Sequence, residues 1–273
     1  MKIIGNLIDK LGNLYAQEKI SQPVVTYGIL VALLGIILLG SMHYLTTFSA
    51  NINAASPKIP VTSFVHLLVK GDFIMQAGIC KEPAGCDIQE QTLNISSASG
   101  VKISEDKILT ASHFCERFLE IETRKGEIDR DGDLLKDVHF VARDYTGRSH
   151  NLKVETLHRN SDLCIVSGKG IKGEIAKLSR TQPAQFERVW NVAAPQGIFF
   201  PSAPLLLEGF YNGRTYQIGV HLSIPAAPGS SGSPVFRSDG TLVSIIHSVH
   251  PTFQMSSYGS SIVDIRKIIL ASE

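Results

Sequence analysis

The chain has 273 residues, of which 44% are hydrophobic and 19% charged, enough for one or two domains with a substantial core. Its 26 Lys and Arg residues nearly balance its 25 Asp and Glu residues, which leaves a net charge of +1. This balance excludes the basic field with which many proteins hold nucleic acid, so we expect no nucleic-acid partner.

The first feature along the chain is an apolar segment at residues 24–45. No Asp, Glu, Lys or Arg occurs between Lys19 and Lys58. The 22 residues from 24 to 45 would form a helix about 33 Å long, which matches the hydrocarbon layer of a membrane. The alternatives are a buried core helix, which is rarely apolar on every face, and a cleavable signal peptide, whose apolar stretch is normally shorter and nearer the start. The pattern favours a transmembrane anchor.

The charges around this segment predict its orientation. Lys2, Lys10 and Lys19 precede it, whereas Lys58 is the only Lys or Arg among the twenty residues after Leu45. The positive-inside tendency therefore puts the N-terminus in the cytoplasm and the C-terminal part outside. We expect a single-pass membrane protein with an extracytoplasmic domain, where disulfides can form.

These observations divide the chain into four parts. Residues 1–23 are a short cytoplasmic segment with apolar residues at helical spacing, and residues 24–45 are the anchor. Residues 46–60 are small, polar and Pro-containing, as in a stalk. Residues 61–273 are the folded domain, and we expect no further domain after it.

The four cysteines leave the disulfide pattern open. Cys80 and Cys86 bracket the turn-like KEPAG and could close it as a disulfide. Cys164 lies in an apolar run, so a buried free thiol is at least as consistent with its surroundings. None of the four, Cys115 included, has zinc-ligand spacing with histidines, so we expect no metal site.

From residue 61 the chain consists of short strand-like runs separated by Gly, Asp, Asn and Pro. Examples are SFVHLLV, KILTAS, LCIVSG and TYQIGVHLS. Many short strands with turn punctuation indicate an all-β sandwich or barrel. The last stretch, Val263–Leu270, predicts a closing helix.

Three segments of this domain carry residues suited to nucleophilic catalysis. His113 follows the apolar run KILTAS, Asp162 precedes the apolar run LCIV, and Ser231 lies in the small-residue turn GSSGSP. A serine hydroxyl needs a base to take its proton and an acid to orient that base. It also needs donors for the oxyanion, which the backbone N–H groups of Gly229 and Ser231 can supply. Each segment alone is weak, but the order His, Asp, Ser beside strands of an all-β chain is specific.

These segments resemble the motifs of chymotrypsin-like serine proteases, T-A-x-H, D-[LIV]-A-[LIV] and G-[DN]-S-G-[GS]-P. The matching residues are Thr110-Ala-Ser-His113, Asp162-Leu-Cys-Ile165 and Gly229-Ser-Ser-Gly-Ser-Pro234. The resemblance covers about residues 61–271 and is closest in wording to glutamyl endopeptidases and Deg/HtrA-type proteases. It implies two six-stranded antiparallel β-barrels with the active site between them, a Ser-His-Asp triad, a protein or peptide substrate and no cofactor.

The departures from the family pattern concern the substrate cleft. Ser230 replaces the usual Asp or Asn, and the Ser-Trp-Gly that binds substrate backbone in many members corresponds here to His247, Ser248 and Val249. Glutamyl endopeptidases and several viral members carry a His near this strand that contacts a Glu or Gln side chain. The resemblance therefore implies a Glu or Gln preference at the cleaved residue, while a His that only hydrogen-bonds within the cleft wall is the alternative.

The sequence as a whole predicts a membrane-anchored serine endopeptidase. Two alternatives stay open. One is a catalytically silent protein of the same fold that serves in binding or assembly. The other is a viral or self-processing protease, tethered so that it acts on nearby partners or on its own chain.

Overall fold

From residue 56 onward, the described residues form fourteen strands, two α-helices and three short 3-10 helices. The computed structural model describes residues 56–77, 87–129, 132–215 and 219–272, together with positions 9, 10, 13 and 35. The predicted anchor, apart from Gly35, and both Cys80 and Cys86 lie outside the described residues and stay predictions. Within the described residues, no helix is long and apolar enough to cross a membrane.

The elements alternate with tight turns, as the short apolar runs predict. In chain order the strands are β1 (Phe64–Ala77), β2 (Asp87–Lys102), β3 (Lys107–Thr110), β4 (Leu134–Arg143), β5 (Ser149–Asn151), β6 (Lys153–His158), β7 (Leu163–Ser167), β8 (Lys177–Leu178), β9 (Glu187–Ala193), β10 (Leu205–Thr215), β11 (Gly219–Leu222), β12 (Pro234–Phe236), β13 (Thr241–His250) and β14 (Phe253–Ser261). The helices are α1 (Ser112–Thr123) and α2 (Ile262–Leu270).

The first sheet closes into a six-stranded antiparallel barrel. Its order is β5-β4-β1-β2-β3-β7-β6. β5 and β6 are two ends of one bent segment, interrupted by Leu152, whose N–H donates to the carbonyl of Phe140 at 2.8 Å. Because one end pairs with β4 and the other with β7, the sheet returns to itself.

The second sheet closes in the same way. Its order is β12-β9-β10-β11-β14-β13-β8, and the additional pairing of β12 with β13 completes a ring of six strands. β8 is appended to β13 outside that ring, in parallel register. The predicted architecture of two six-stranded barrels is therefore confirmed.

A shared core joins the barrels. Leu109 and Ile165 of the first barrel pack with Phe236 and Ile245 of the second, and all four are fully buried. Each fully buried side chain of this kind contributes about 1.5–3 kcal/mol. The barrels therefore cannot separate without exposing this core, which fixes His113 and Asp162 of one barrel relative to Ser231 of the other.

The C-terminal helix is confirmed, and it begins one residue earlier than predicted. The hydroxyl of Ser261 caps α2 by accepting from the N–H of Asp264 at 3.2 Å. Ile262, Ile265 and Ile268 are buried and extend the shared core. Their spacing of three residues puts them on one face of the helix.

Helix α1 was not predicted from the sequence. The apolar run before His113 predicts a strand that ends at that residue, but the strand ends at Thr110 and His113 lies in the first turn of α1. Phe114, Phe118 and Ile121 recur at helical spacing and are buried in the first barrel. This apolar face holds the helix, and hence His113, against the barrel.

Candidate active site

His113 and Asp162 meet at the edge of the first barrel. Asp162 ends a short 3-10 helix in the left-handed region, with φ 49°, and directly precedes β7. Its Oδ2 lies 2.8 Å from Nδ1 of His113, and its Oδ1 accepts from the N–H of His113 at 3.0 Å. The Ser112 hydroxyl also donates to Oδ1 at 3.0 Å. The carboxylate therefore fixes both the ring and the backbone of His113.

The protonation state of Asp162 sets the tautomer of the His113 ring. Burial raises the pKa of the Asp162 carboxyl, but hydrogen bonds and charge from His113, with a hydrogen bond from Ser112, outweigh it and lower the pKa to about 2. An ionised carboxylate can only accept, so Nδ1 of His113 must carry the proton it donates. The other ring nitrogen, Nε2, is then free to accept a proton.

A disulfide joins the two elements that carry this pair. Cys115, two residues after His113, is bonded to Cys164, two residues after Asp162, and both are fully buried. The disulfide resolves the alternatives that the sequence left open for Cys164. It could not be predicted because Cys115 reaches β7 only through the unpredicted helix α1.

The loop before Ser231 forms a type II turn, Ala227–Ser230. Pro228 and Gly229 are its central residues, Gly229 has φ +95°, and the N–H of Ser230 donates to the carbonyl of Ala227 at 2.9 Å. A Cβ on Gly229 would lie 2.5 Å from the carbonyl oxygen of Ala194. Only glycine fits this position.

Gln196 fixes the orientation of the peptide between Pro228 and Gly229. Its backbone N–H donates to the carbonyl of Pro228 at 2.6 Å. Because a trans peptide points its N–H opposite its carbonyl, the N–H of Gly229 is turned away from Gln196. Within the described residues, neither this N–H nor that of Ser231 has an acceptor. Two such donors, with one residue between them in the chain, can hold one oxyanion.

Ser99 of β2, in the first barrel, hydrogen-bonds to the same loop. Its N–H donates to the carbonyl of Ser231 at 2.8 Å, and its hydroxyl donates to the carbonyl of Gly229 at 2.8 Å. That hydroxyl also accepts from the N–H of Ala194 at 3.1 Å. The sequence offers only a weak signal for this role, a run of small residues in a strand, which often marks a close backbone approach.

Ser231 is partly exposed and lies beside β13. Its hydroxyl donates to the carbonyl of His247 at 3.5 Å, at the limit of a hydrogen bond. Within the described residues it makes no hydrogen bond to His113. A contact this weak leaves the hydroxyl free to rotate toward another acceptor.

The predicted substrate-binding residues lie on β13 at a pocket of about 300 Å³ that also contains Ser231. His247 is partly buried, with Nδ1 3.0 Å from the hydroxyl of Ser248. Burial lowers the pKa of His247, nearby Asp162 opposes the shift, and His113 adds to it. Val249 also lines this pocket. Beyond Ile246, one edge of β13 has no strand neighbour among the described residues.

Among the described residues, no three His, Cys, Asp or Glu side chains lie close enough together to hold a metal ion.

Comparison with known proteins relates this arrangement to a family. The sequence profile of the family described as trypsin-like peptidase domain matches residues 98–245, which include His113, Asp162 and Ser231. No curated protein matches the chain. Many solved structures share its fold, and two of them illustrate the similarity.

The first is a serine endoprotease from Yersinia pestis, with a TM-score of 0.54 and 12% identity, covering 78% of this chain. The chain spans 63% of the length of that protein. The second is Rv3671c from M. tuberculosis, a Ser-to-Ala variant in an inactive form, with a TM-score of 0.52 and 8% identity. It covers 78% of this chain, which spans 87% of its length.

Proposed function

We propose that this chain, which belongs to the family of trypsin-like peptidase domains, cleaves peptide bonds through an acyl-enzyme on Ser231. His113 is the base and Asp162 orients it. The observation that carries the proposal is the two-point contact of the Asp162 carboxylate with His113, at 2.8 Å to Nδ1 and 3.0 Å to the backbone N–H. This contact leaves Nε2 as the only ring nitrogen able to accept the serine proton.

The steps follow from these groups. Ser231 Oγ attacks the substrate carbonyl carbon as its proton passes to His113 Nε2, and the N–H groups of Gly229 and Ser231 receive the charge that forms on the carbonyl oxygen. The carbon–nitrogen bond then breaks, and His113 gives the proton to the leaving amine. Water, deprotonated by His113, hydrolyses the ester and restores Ser231. The weak contact of the Ser231 hydroxyl with the His247 carbonyl opposes the required rotation only slightly, and such hydrogen bonds often tighten when substrate binds.

The substrate is a protein or peptide that binds along β13. The free edge beyond Ile246 can pair with an extended chain, while the pocket beside Ser231 takes the side chain of the cleaved residue. His247 is the proposed source of a Glu or Gln preference. No Lys or Arg lines this pocket among the described residues, so an imidazole donor is the group there that suits an oxygen acceptor.

A set of peptides varied only at the cleaved residue tests this preference. We expect Gln and Glu to give the highest kcat/KM, and His247→Ala to level the differences between them and other residues. Equal cleavage after Lys or Phe would contradict the role of His247.

We also propose that residues 24–45 anchor the enzyme in a membrane with the barrels on the extracytoplasmic side. The uncharged stretch between Lys19 and Lys58 supports the anchor. The Cys115–Cys164 disulfide supports an oxidising compartment. The full chain should remain in membranes after a carbonate wash, and a chain without residues 1–45 should not. Recovery of the full chain in the wash would refute the anchor.

Peptide hydrolysis by matched serine variants tests the catalytic proposal. Ser231→Ala should reduce kcat by at least about 10⁴-fold, and His113→Ala by a similar factor, because these groups act as a unit. Ser238→Ala, at an exposed serine in the turn after β12, should retain wild-type activity. If the folded wild-type protein hydrolysed no peptide, or if Ser231→Ala stayed active, the catalytically silent alternative or another nucleophile would be favoured.

A further inference from the structure

A second cleft lies on the opposite side of the Pro228–Gly229 turn from the pocket beside Ser231. Its volume is about 470 Å³, and its wall comes from β1, β2 and β4 of the first barrel and from the loop at Gln196. Pro228 is the one residue that it shares with the pocket beside Ser231. We call this cleft, which His66, Arg143, Gln196 and Gly229 help to line, the leaving-side cleft, because it lies where the departing part of the substrate would extend.

That position follows from the proposed mechanism. Gly229, whose N–H is the proposed oxyanion donor, is a lining residue of the cleft, and the cleaved residue occupies the pocket on the other side of the turn. The chain that departs with the amine must therefore extend toward the leaving-side cleft. Its first residues are the natural occupants.

The cleft carries an unpaired cation. Arg143 is its only charged lining residue, and among the described residues no carboxylate lies within ion-pair distance of the guanidinium. The guanidinium is instead held 5.4 Å from the ring centroid of Phe199. Stacking on an aromatic ring orients the planar group and leaves its N–H donors available.

A buried histidine stands beside it. His66 is 3% exposed, and neither ring nitrogen has a hydrogen-bond partner. Its ring packs 5.1 Å from that of Phe199. Burial, with a smaller effect from Arg143, lowers the pKa of His66 to about 4, so the ring is neutral at pH 7 and retains one N–H donor. A buried polar group without a partner destabilises the fold, so its presence calls for a functional explanation or for a partner outside the protein.

The remaining polar wall is uncharged. Asn94, Ser96, Ser97 and Gln196 contribute amides and hydroxyls, and the described lining contains no Asp or Glu that would repel an anion. A guanidinium in a fixed orientation among neutral donors is the arrangement that binds a carboxylate.

We propose that the leaving-side cleft binds a carboxylate that the substrate carries just beyond the scissile bond, with Arg143 as its charged partner. The position of the bond rests on the proposed function, whereas the carboxylate site rests on the cleft itself. The enzyme then prefers substrates with an acidic group on the leaving side.

Binding to the full-length Ser231→Ala protein tests this without turnover. The probes are fluorescent peptides with Gln at the cleaved residue and an amidated C-terminus, carrying Glu or Gln at the first or second position beyond it. A third set of peptides has Gln at the first or second position beyond the cleaved residue and ends there in a free α-carboxylate. Comparing it with the Glu peptides distinguishes a side-chain carboxylate from a terminal one. We expect either carboxylate to tighten binding about tenfold over its neutral counterpart, as one charge-assisted pair does.

Two second-site variants locate the effect. Arg143→Gln in the same background should abolish the preference for the carboxylate, whereas Arg148→Gln, an exposed arginine in the turn after β4, should preserve it. Circular dichroism melting of each variant confirms that it is folded. Equal affinity for charged and neutral peptides, or a preference that survives Arg143→Gln, would overturn the proposal.

A peptidyl aminocoumarin separates this inference from the proposed function, since it has no residue on the leaving side. If wild-type protein hydrolyses the aminocoumarin but charged and neutral peptides bind equally, the inference fails and the function stands. If nothing is hydrolysed but the carboxylate preference depends on Arg143, the function fails and the carboxylate site stands.

Discussion

Ser99 connects the barrel that carries the proposed base to the loop that carries the proposed nucleophile. Its hydroxyl and N–H hold the carbonyls of Gly229 and Ser231. Those carbonyls belong to the Gly229–Ser230 and Ser231–Gly232 peptides, which adjoin the peptides that carry the proposed oxyanion donors, so Ser99 holds the loop in place around these donors.

Ser99→Ala tests this positioning role. Removing the hydroxyl leaves the Gly229 carbonyl and the Ala194 N–H without a partner, which should cost about 1–3 kcal/mol of stability. We expect kcat to fall about tenfold, and the affinity for a peptide aldehyde, which mimics the tetrahedral intermediate, to fall with it. Ser238→Ala serves as the control. An unchanged aldehyde affinity would limit Ser99 to a structural role.

Asp162 makes the stability of the fold depend on pH. Its pKa is lowered from 3.8 to about 2 because hydrogen bonds from His113 and Ser112 outweigh the cost of burial. The stabilisation is therefore fully present above about pH 4 and is lost as the pH falls toward 2. Partial solvent exposure reduces the contribution to about 1–2 kcal/mol.

Asp162→Asn should affect both the catalytic rate and the pH dependence of stability. We expect kcat to fall by about 10⁴-fold at neutral pH, because the amide no longer enforces the productive tautomer of His113. In urea unfolding, the difference in free energy between wild type and variant should shrink between pH 5 and pH 2.5. A difference that stays constant over this range would contradict the assigned pKa.

At the scale of elements, the type II turn at Ala227–Ser230 decides whether the oxyanion donors converge. Gly229→Ala introduces a side chain at φ +95° and against the carbonyl of Ala194, which should rotate the peptide group between Pro228 and Gly229 out of its present orientation. We expect kcat to fall by about 10²–10³-fold while the fold is retained. Gly126→Ala is a matched control, since Gly126 has φ +86° with nothing within 4 Å of an added Cβ. Equal losses in the two variants would indicate backbone strain alone.

The disulfide between α1 and β7 fixes the helix that carries His113. It links residues 49 positions apart, so its removal should destabilise the fold by about 3–4 kcal/mol. Replacing Cys115 and Cys164 together by Ala should lower the melting temperature, and reductant should shift the wild type more than this variant. If reductant shifted the melting temperatures of the wild type and the variant equally, this disulfide would not be the bond that the reductant breaks.

The same elements show how far the sequence determines the site. His113, Asp162 and Ser231 were identifiable because each stands in a short motif beside an apolar run. Ser99 was not, since its contact with Gly229 joins residues 130 positions apart in different barrels. The helix α1 was missed because the strand before it is apolar as well, and only the spacing of Phe114, Phe118 and Ile121 distinguishes the two.

At the scale of the whole molecule, the proposed catalytic site depends on the core between the barrels. The proposed base His113 and its partner Asp162 belong to the first barrel and the proposed nucleophile Ser231 to the second, so no single barrel contains the candidate site. Two barrels were predictable from the number of short strands and the family resemblance. Their closure through the bend at Leu152 and the pairing of β12 with β13 was not, because ring closure depends on long-range register.

The central claim is that Ser231 is the nucleophile, and covalent labelling tests it most directly. The folded wild-type protein should react with a fluorophosphonate to give one adduct, which mass spectrometry of its peptides should locate on Ser231. His113→Ala should react far more slowly and Ser231→Ala not at all. An adduct on another serine, or no adduct with folded wild-type protein, would contradict the account.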